Sequence, residues 1–474
     1  MWTWLNETLL WFRSNFSNKW AFAWFVVIII GMMIRTDHIG LTGIIRELSL
    51  MDSAYPAILH FFKAESWGVA SLAYSWVQTI MAQGMEYRVN GMGVLTGDGV
   101  KQAKEGRYMP GVVKLHQESE NSSKGEYIFG HMFGGVGIMV GDVYKKLYCV
   151  LASLTLHEGV DAIEAWYEEE TSEEASHVVK MIRDAGKVAS QIGQSILLLD
   201  RLYLTVPMLK ELMLRPLLVA VTKAKSNAVA FHVPTPRTGK GAKRKKGDKV
   251  KLFDLFETKT DEFITEAVYA YGKLQKASYY SIDLLWGKTL YQKLRFVLTI
   301  LDGKKSILVS TCLDLSPVQV IELYCCRFKI ECSFRELKQV VAGFSYRFWS
   351  KHMTKLSKYK SNGYNRDKLK AITDEIAQDN INATVRAING FVMLSVIALG
   401  LLQIISIKFA DCFTGNSIRF MRTKSNIIPS EATVADYLRK NIYRLFRFFP
   451  DLAITAIIKD RQSVPDESQT SLIA

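Results

Sequence analysis

The sequence predicts an α/β protein: a mixed sheet flanked by helices, carrying a β-rich insertion and bounded by helical regions at both ends. Three observations predict it. Residues 89–158 break into short β-type runs separated by glycine, among them GVLTGD, EYIFGHMFGGVGIMV and KLYCVLASLTL, which is the texture of strands. A second set of such runs, including LLVAVTK, AVAFHV and KLRFVLTIL, fills residues 217–311. Around them lie apolar or amphipathic stretches without alternation, the texture of helices.

A chain of 474 residues with 49% hydrophobic and 22% charged residues can bury a sizeable core, which excludes general disorder and a small module. Lys and Arg outnumber Asp and Glu by 60 to 46, a field that favours polyanions such as nucleic acid or an anionic membrane surface. The six cysteines form no C-x-x-C pair and no secreted-domain spacing, so a reducing, cytoplasmic setting is expected. The start of the sequence has no basic segment or small-residue cleavage site of a signal peptide.

Residues 1–85 read as a helical region. Within it WAFAWFVVIIIGMMI (20–34) is 15 residues long, short for a bilayer span of about 20 and therefore expected to be a buried core helix. Residues 86–216 open the sheet, continue through a charged helical stretch (164–194), and reach SQIGQSILLLDR, a buried strand, and LTVPMLKELML, a helix. Residues 217–311 form the β-rich insertion. Inside it RTGKGAKRKKGDKVK (237–251) holds eight Lys or Arg and three glycines. A solvated loop would have this composition; beside a catalytic domain, contact with a phosphate backbone through Lys243, Arg244, Lys245 and Lys246 is the better reading. Residues 312–410 return to the main domain and include a lysine-rich surface connection (351–370). They also hold the 21-residue apolar run AINGFVMLSVIALGLLQIISI (387–407), long enough to span a bilayer. Its Asn389, Ser395, Gln403 and Ser406 would need internal partners in lipid, so no membrane insertion is expected. Residues 411–474 are a helical region ending in a frayed tail.

The richest chemistry lies in LYCCRFKIECSFRELK (323–338). Upstream, Ser316 is a good N-cap, Pro317 suits the first helical position and Gln319 completes a capping box, so a helix is expected from there to about Val340. At 100° per residue Tyr324, Arg327, Glu331 and Lys338 fall within about 60° of one another on that helix. Leu323, Ile330, Phe334 and Leu337 form an adjoining apolar stripe. The cysteines follow neither stripe, and no histidine lies between His232 and His352, so no zinc or redox site is expected.

The spacing Tyr324-x2-Arg327-x3-Glu331-x6-Lys338 resembles the Y-R-E-K signature of bacterial insertion-sequence transposases of the DDE class, the insertion-sequence-four-like subgroup. Resemblance to that family implies a ribonuclease H-like fold in which two aspartates, each ending a hydrophobic strand, join the helix glutamate. VLTGD (94–98) and ILLLD (196–200) are the clearest such places, which assigns Asp98, Asp200 and Glu331 as catalytic and metal-binding. Two departures stand against the pattern: Gly99 follows the first aspartate where a polar residue is usual, and Leu202-Tyr203 follow the second where Gly-aromatic is usual. Asp142 and Asp161 are the less well placed substitutes for Asp98.

The resemblance further implies two Mg²⁺ ions, with Mn²⁺ as a substitute, held by hard oxygen ligands. Asp98 would bridge both ions while Asp200 and Glu331 each complete one. Tyr324, Arg327 and Lys338 would hold DNA phosphates, and Trp286 could stack on an unpaired base if it is not simply a core residue. The implied activity is cleavage of donor DNA at the element ends and joining of the 3′-hydroxyls to target DNA, by a homodimer on double-stranded DNA in the bacterial cytoplasm. The N-terminal region would bind the element ends. No histidine is expected near the carboxylates, consistent with metal-bound water as the nucleophile. The alternatives are a ribonuclease H-like nuclease without strand transfer, a DNA-binding transposase that has lost activity, and a membrane-associated basic protein.

Overall fold

The computed structural model describes residues 1–37, 40–117, 125–167, 175–235, 243–413 and 428–463. The tail at 464–474 and part of the basic loop, with Arg237 and Lys240, lie outside the described residues.

The fold is α/β, built on one large mixed sheet with helices on both faces. Five strands form its centre: β1 (Met92–Ala103), β2 (Tyr127–Asp142), β3 (Lys146–Leu156), β4 (Ser195–Leu198) and β5 (Leu218–Lys223). They lie side by side in the order β3-β2-β1-β4-β5, with β1, β2 and β3 antiparallel and β4 and β5 parallel to β1. The crossover between β3 and β4 contains α1 (His177–Ile192), capped by Ser176, whose hydroxyl accepts from Val179 N–H. Strand β4 is buried throughout, as its unbroken apolar run requires.

The insertion continues the same sheet. Strands β6 (Val229–Phe231), β7 (Lys249–Lys251), β8 (Ile264–Ala270), β9 (Lys273–Trp286), β10 (Gln292–Leu301) and β11 (Lys304–Ser310) follow. Strand β11 pairs antiparallel with β5, then β10, β9, β6 and β7 extend the sheet outward. One expected boundary shifts as a result. LLVAVTK, read from its β texture as the opening of the insertion, is the fifth central strand, and only its parallel partner β4 could reveal that.

The expected single helix from Ser316 to Val340 is two: α2 (Pro317–Cys326) and α3 (Lys329–Gln339). The capping box is present as read, with Gln319 N–H donating to Ser316 and the Gln319 side chain accepting from Ser316 N–H. At the junction, Arg327 N–H bonds to Tyr324 O, Ile330 N–H to Arg327 O and Glu331 N–H to Phe328 O. These three-residue spacings wind the chain tighter than an α-helix. Neither proline nor glycine marks the break, so periodicity runs straight through it.

Both apolar runs are helices of the core. Lys19–Ile34 is buried over nearly its whole length. Glu375–Lys408, α4, is long and apolar enough to cross a membrane, yet 94% of its apolar window is buried inside the protein. It packs on β3, on Lys19–Ile34 and on helix Glu431–Lys440. Its polar residues find partners there: Gln403 donates to Glu431 and Ser333, and Asn389 accepts from Leu156 N–H. The lysine-rich connection contains a helix of its own, Asn362–Lys370.

His131, on β2, is fully buried. Pro110 O can only accept, so the Nε2–H of His131 donates to it at 2.9 Å, and Nδ1 accepts from the Tyr346 hydroxyl at 2.6 Å. Both nitrogens of a neutral ring are thus used. Burial, helped by the charge of Lys104, pushes its pKa from 6.5 down to about 3. The unfolded chain therefore takes up this proton first, and stability is lost as pH falls from about 6.5 toward 3. At pH 5 His131 alone should cost about 2 kcal/mol relative to neutral pH. Thermal melts should show a fall in the midpoint between pH 7 and pH 5 that is smaller in His131→Leu; an equal fall would mean that His131 is not the group responsible.

Candidate functional site

The parallel register pairs Thr96 of β1 with Leu198 of β4. Asp98 and Asp200 each stand two residues beyond that pair, so they lie side by side with their side chains on the same face. Asp98 does not end its strand as expected; β1 continues to Ala103, because 99–103 go on pairing with β2. Asp200 does follow its strand, and its carbonyl is tied to β5 by the Thr222 hydroxyl at 2.9 Å.

Helix α3 brings Glu331 to this edge. Opposite Asp98 on β2 is Gly135, and a Cβ there would come within 2.9 Å of the Phe334 ring. Glycine at 135 therefore permits α3 to lie directly on the sheet beside Asp98, with Glu331 one turn before Phe334. The apolar stripe performs as expected: Leu323, Ile330, Phe334 and Leu337 are buried.

Arg327, at the helix junction, connects the acids. Its Nη1 is 3.3 Å from Asp98 Oδ2 and its Nη2 is 2.6 Å from Glu331 Oε1, charge-assisted bonds of the stronger kind. Asp98 also accepts from Gly99 N–H at 2.8 Å. Burial pushes the Asp98 pKa up to about 6; Arg327 opposes the shift, while Glu331 and Asp200 add to it. Burial works against the charge of Arg327, but Asp98 and Glu331 outweigh it and raise its pKa. Tyr324 is half-buried, its pKa pushed to about 12 by burial, with Arg327 opposing and Asp200 contributing. Lys338 lies ~10 Å further along α3, its ammonium 5.8 Å from the Phe344 ring centroid.

The remaining expected residues sit elsewhere. Lys243, Arg244, Lys245 and Lys246 are exposed, between β6 and β7 at the far edge of the sheet from β1. Lys246 lies 4.1 Å over the Phe231 ring. Trp286 is partly buried against the core at the end of β9. Asp142 caps a turn through Tyr144 N–H, and Asp161 pairs with Lys180 at 2.7 Å. Cys325 and Cys326 are buried, and burial pushes their thiols up to about 11 and 12.

Sequence reasoning missed a histidine pair. His177 of α1 bonds through Nε2 to the Tyr203 hydroxyl at 2.7 Å and through Nδ1 to His157 Nδ1 at 2.8 Å; His157 reaches Asp184 at 2.9 Å. Tyr203 closes the turn that begins at Asp200, and a Cβ on Gly99 would stand 3.0 Å from His177 Nε2. The histidines thus stand behind β1 at Gly99 and contact Tyr203 and Asp184 rather than Asp98, Asp200 or Glu331. This chain lies on the opposite face of β1 from Asp98 and fastens the Asp200 turn to α1. Burial holds the His177 pKa down at about 3, so the ring is neutral. Nothing in the spacing of His157 and His177 points to this role.

Among the described residues, no group of three or more His, Cys, Asp or Glu side chains stands as a ready-made metal cluster; the guanidinium of Arg327 is the cation between two of the three acids. No protein-family model matches the chain, and no curated protein matches it.

Proposed function

We propose that the chain is a metal-dependent polynucleotidyl transferase of the DDE transposase type, acting on double-stranded DNA. The observation that carries this reading is the meeting of Asp98 and Glu331, far apart in sequence, on Arg327, with Asp200 near enough to Asp98 to add to its pKa shift. The strand order β3-β2-β1-β4-β5 and its directions agree with a ribonuclease H-like core. A net charge of +14 suits a polyanionic substrate.

The donor set fits hard divalent cations: carboxylate oxygens, one of them on a carboxyl whose pKa burial has raised beside other acids. Asp98, Asp200 and Glu331 would hold Mg²⁺ or Mn²⁺ once Arg327 gives up its bonds to the acids. When bound, such ions acidify water and neutralise charge developing on a phosphodiester. The residues of the chain do the rest. Arg327, freed from Glu331, is placed to take a phosphate oxygen in a two-pronged contact. Tyr324 keeps its proton and donates a hydrogen bond beside it. Lys338 meets the backbone further along α3, as a point charge. A homodimer joining two ends would account for paired cleavage.

The test is incubation of purified protein with Mg²⁺ and a plasmid bearing the element's own ends. The reading expects cleavage at those ends and a covalent donor–target product. Cleavage without joining would leave a nuclease, and no cleavage with either Mg²⁺ or Mn²⁺ would overturn the reading.

A further inference from the structure

Beyond Asp98, strand β1 runs on to Ala103 and the chain turns through residues 104–109. This segment faces the extended stretch 344–349, and a groove of about 810 Å³ lies between them. The two walls are fixed to each other: Ser350 N–H bonds to Tyr108 O at 3.1 Å and Leu356 N–H to Arg107 O at 2.9 Å. Along the second wall Phe344, Tyr346 and Phe348 point into the core, whereas Arg347 and Trp349 point out.

The exposed lining has an unusual make-up. Trp349 is 60% exposed and Tyr108 42% exposed. Arg107 and Arg347 are exposed, and among the described residues neither has a carboxylate within salt-bridge distance. Lys104 sits on the groove floor with its ammonium 3.5 Å from the Tyr346 ring centroid, donating to Phe344 O and Tyr346 O. Glu105 is the one acid of the lining. Burial, reinforced by the charge of Arg347, lowers the Lys104 pKa to about 7. Three basic side chains thus line the groove with a single acid, Glu105, next to two exposed rings. That combination matches a phosphate backbone with unstacked bases, since only an unpaired strand offers base faces to rings.

We propose that this groove is a binding track for single-stranded DNA, with Arg107 and Arg347 on phosphates and Trp349 and Tyr108 stacking on bases. It rests on the polynucleotide reading of the carboxylate site and adds a second site to it. The groove opens four to five residues past Asp98 on the same strand, ~13–17 Å away, about four to five nucleotides of duplex rise. A strand opened at the carboxylates therefore reaches it without a break. None of its residues belongs to the Y-R-E-K set.

The probe is labelled oligothymidine, with a blunt duplex of equal length as comparison, titrated against the full chain over a range of salt. Trp349→Ala should weaken oligothymidine binding about tenfold, and Trp349→Phe should restore most of it. Arg107→Ala with Arg347→Ala should lower the slope of log affinity against log salt by about 1.4, the value for two phosphates on a single strand. Duplex affinity should change far less. Because all three side chains are exposed, melting temperatures should stay at the wild-type value. Glu331→Ala should lose plasmid nicking while binding oligothymidine like the wild type: nicking that persists would mark an error in the carboxylate assignment, and unchanged oligothymidine affinity in the groove variants an error in the groove. Wild-type affinity and salt slope in both groove variants, or equal losses on duplex and single strand, would overturn the proposal.

Discussion

Glu331→Ala should abolish metal-dependent nicking of a supercoiled donor plasmid, a loss on the order of 10²–10³-fold or more, the range seen when one preorganised electrostatic contact is removed from a reaction centre. Binding of end DNA should be largely kept, because Arg327, Tyr324 and Lys338 remain. The fold should be kept as well. Glu331 is 55% exposed and pairs at 2.6 Å with an Arg327 that is only 15% exposed; with the carboxylate open to solvent, the pair contributes on the order of 1 kcal/mol. Its apolar neighbours Ile330 and Phe334, which hold α3 on the sheet, are untouched. Arg327 also keeps its bond to Asp98. The informative comparison is Glu331→Gln, which preserves shape and the hydrogen bond to Arg327 but removes the charge that a divalent cation requires. Both variants should fail alike. Nicking by either at the wild-type rate would remove Glu331 from the reaction and with it the carboxylate assignment.

What could be read in the sequence was local. The capping box at Ser316 and Gln319 is a contract among four consecutive residues, and it holds. The two Asp-terminated apolar runs and the Y-R-E-K spacing are likewise short patterns, and of their residues Asp98, Arg327 and Glu331 are in contact. What could not be read depends on pairing across the chain. Strand β5 looked like part of the insertion because strand texture does not say which neighbour a strand takes. The break between α2 and α3 falls at Arg327, a good helix former whose side chain is held by Asp98, 229 positions away. His157 and His177 lie in separate elements and meet only when α1 packs under β1. The groove is the extreme case: Arg107 and Tyr108 face Arg347 and Trp349 across about half the chain, and neither half alone carries a signal.

The second large effect is expected at α4, whose apolar window is 94% buried inside the protein. Two glycines of α4 receive tryptophans from the N-terminal region: a Cβ on Gly390 would meet the Trp67 ring at 2.6 Å, and one on Gly400 would overlap the ring of Trp76. Trp76 is fully buried and its indole N–H donates to Leu151 O at 2.8 Å, on the strand against which α4 packs. One side chain therefore ties the N-terminal helices, the long helix and the central sheet together. Trp76→Ala should cost ~3–5 kcal/mol, the range for emptying a large aromatic site. Gly400→Ala is the sharper test. In an exposed or lipid-facing helix this change would stabilise by up to ~1 kcal/mol through helix propensity; against Trp76 it should destabilise by ~1–3 kcal/mol through overlap. Shrinking the ring with Trp76→Phe should reduce the cost of Gly400→Ala, so the double variant should be more stable than the sum of the two single losses predicts. Thermal unfolding of the four proteins measures this directly. A Gly400→Ala variant that melts above the wild type would show that α4 does not rest on Trp76, and would reopen the question of where that helix lies.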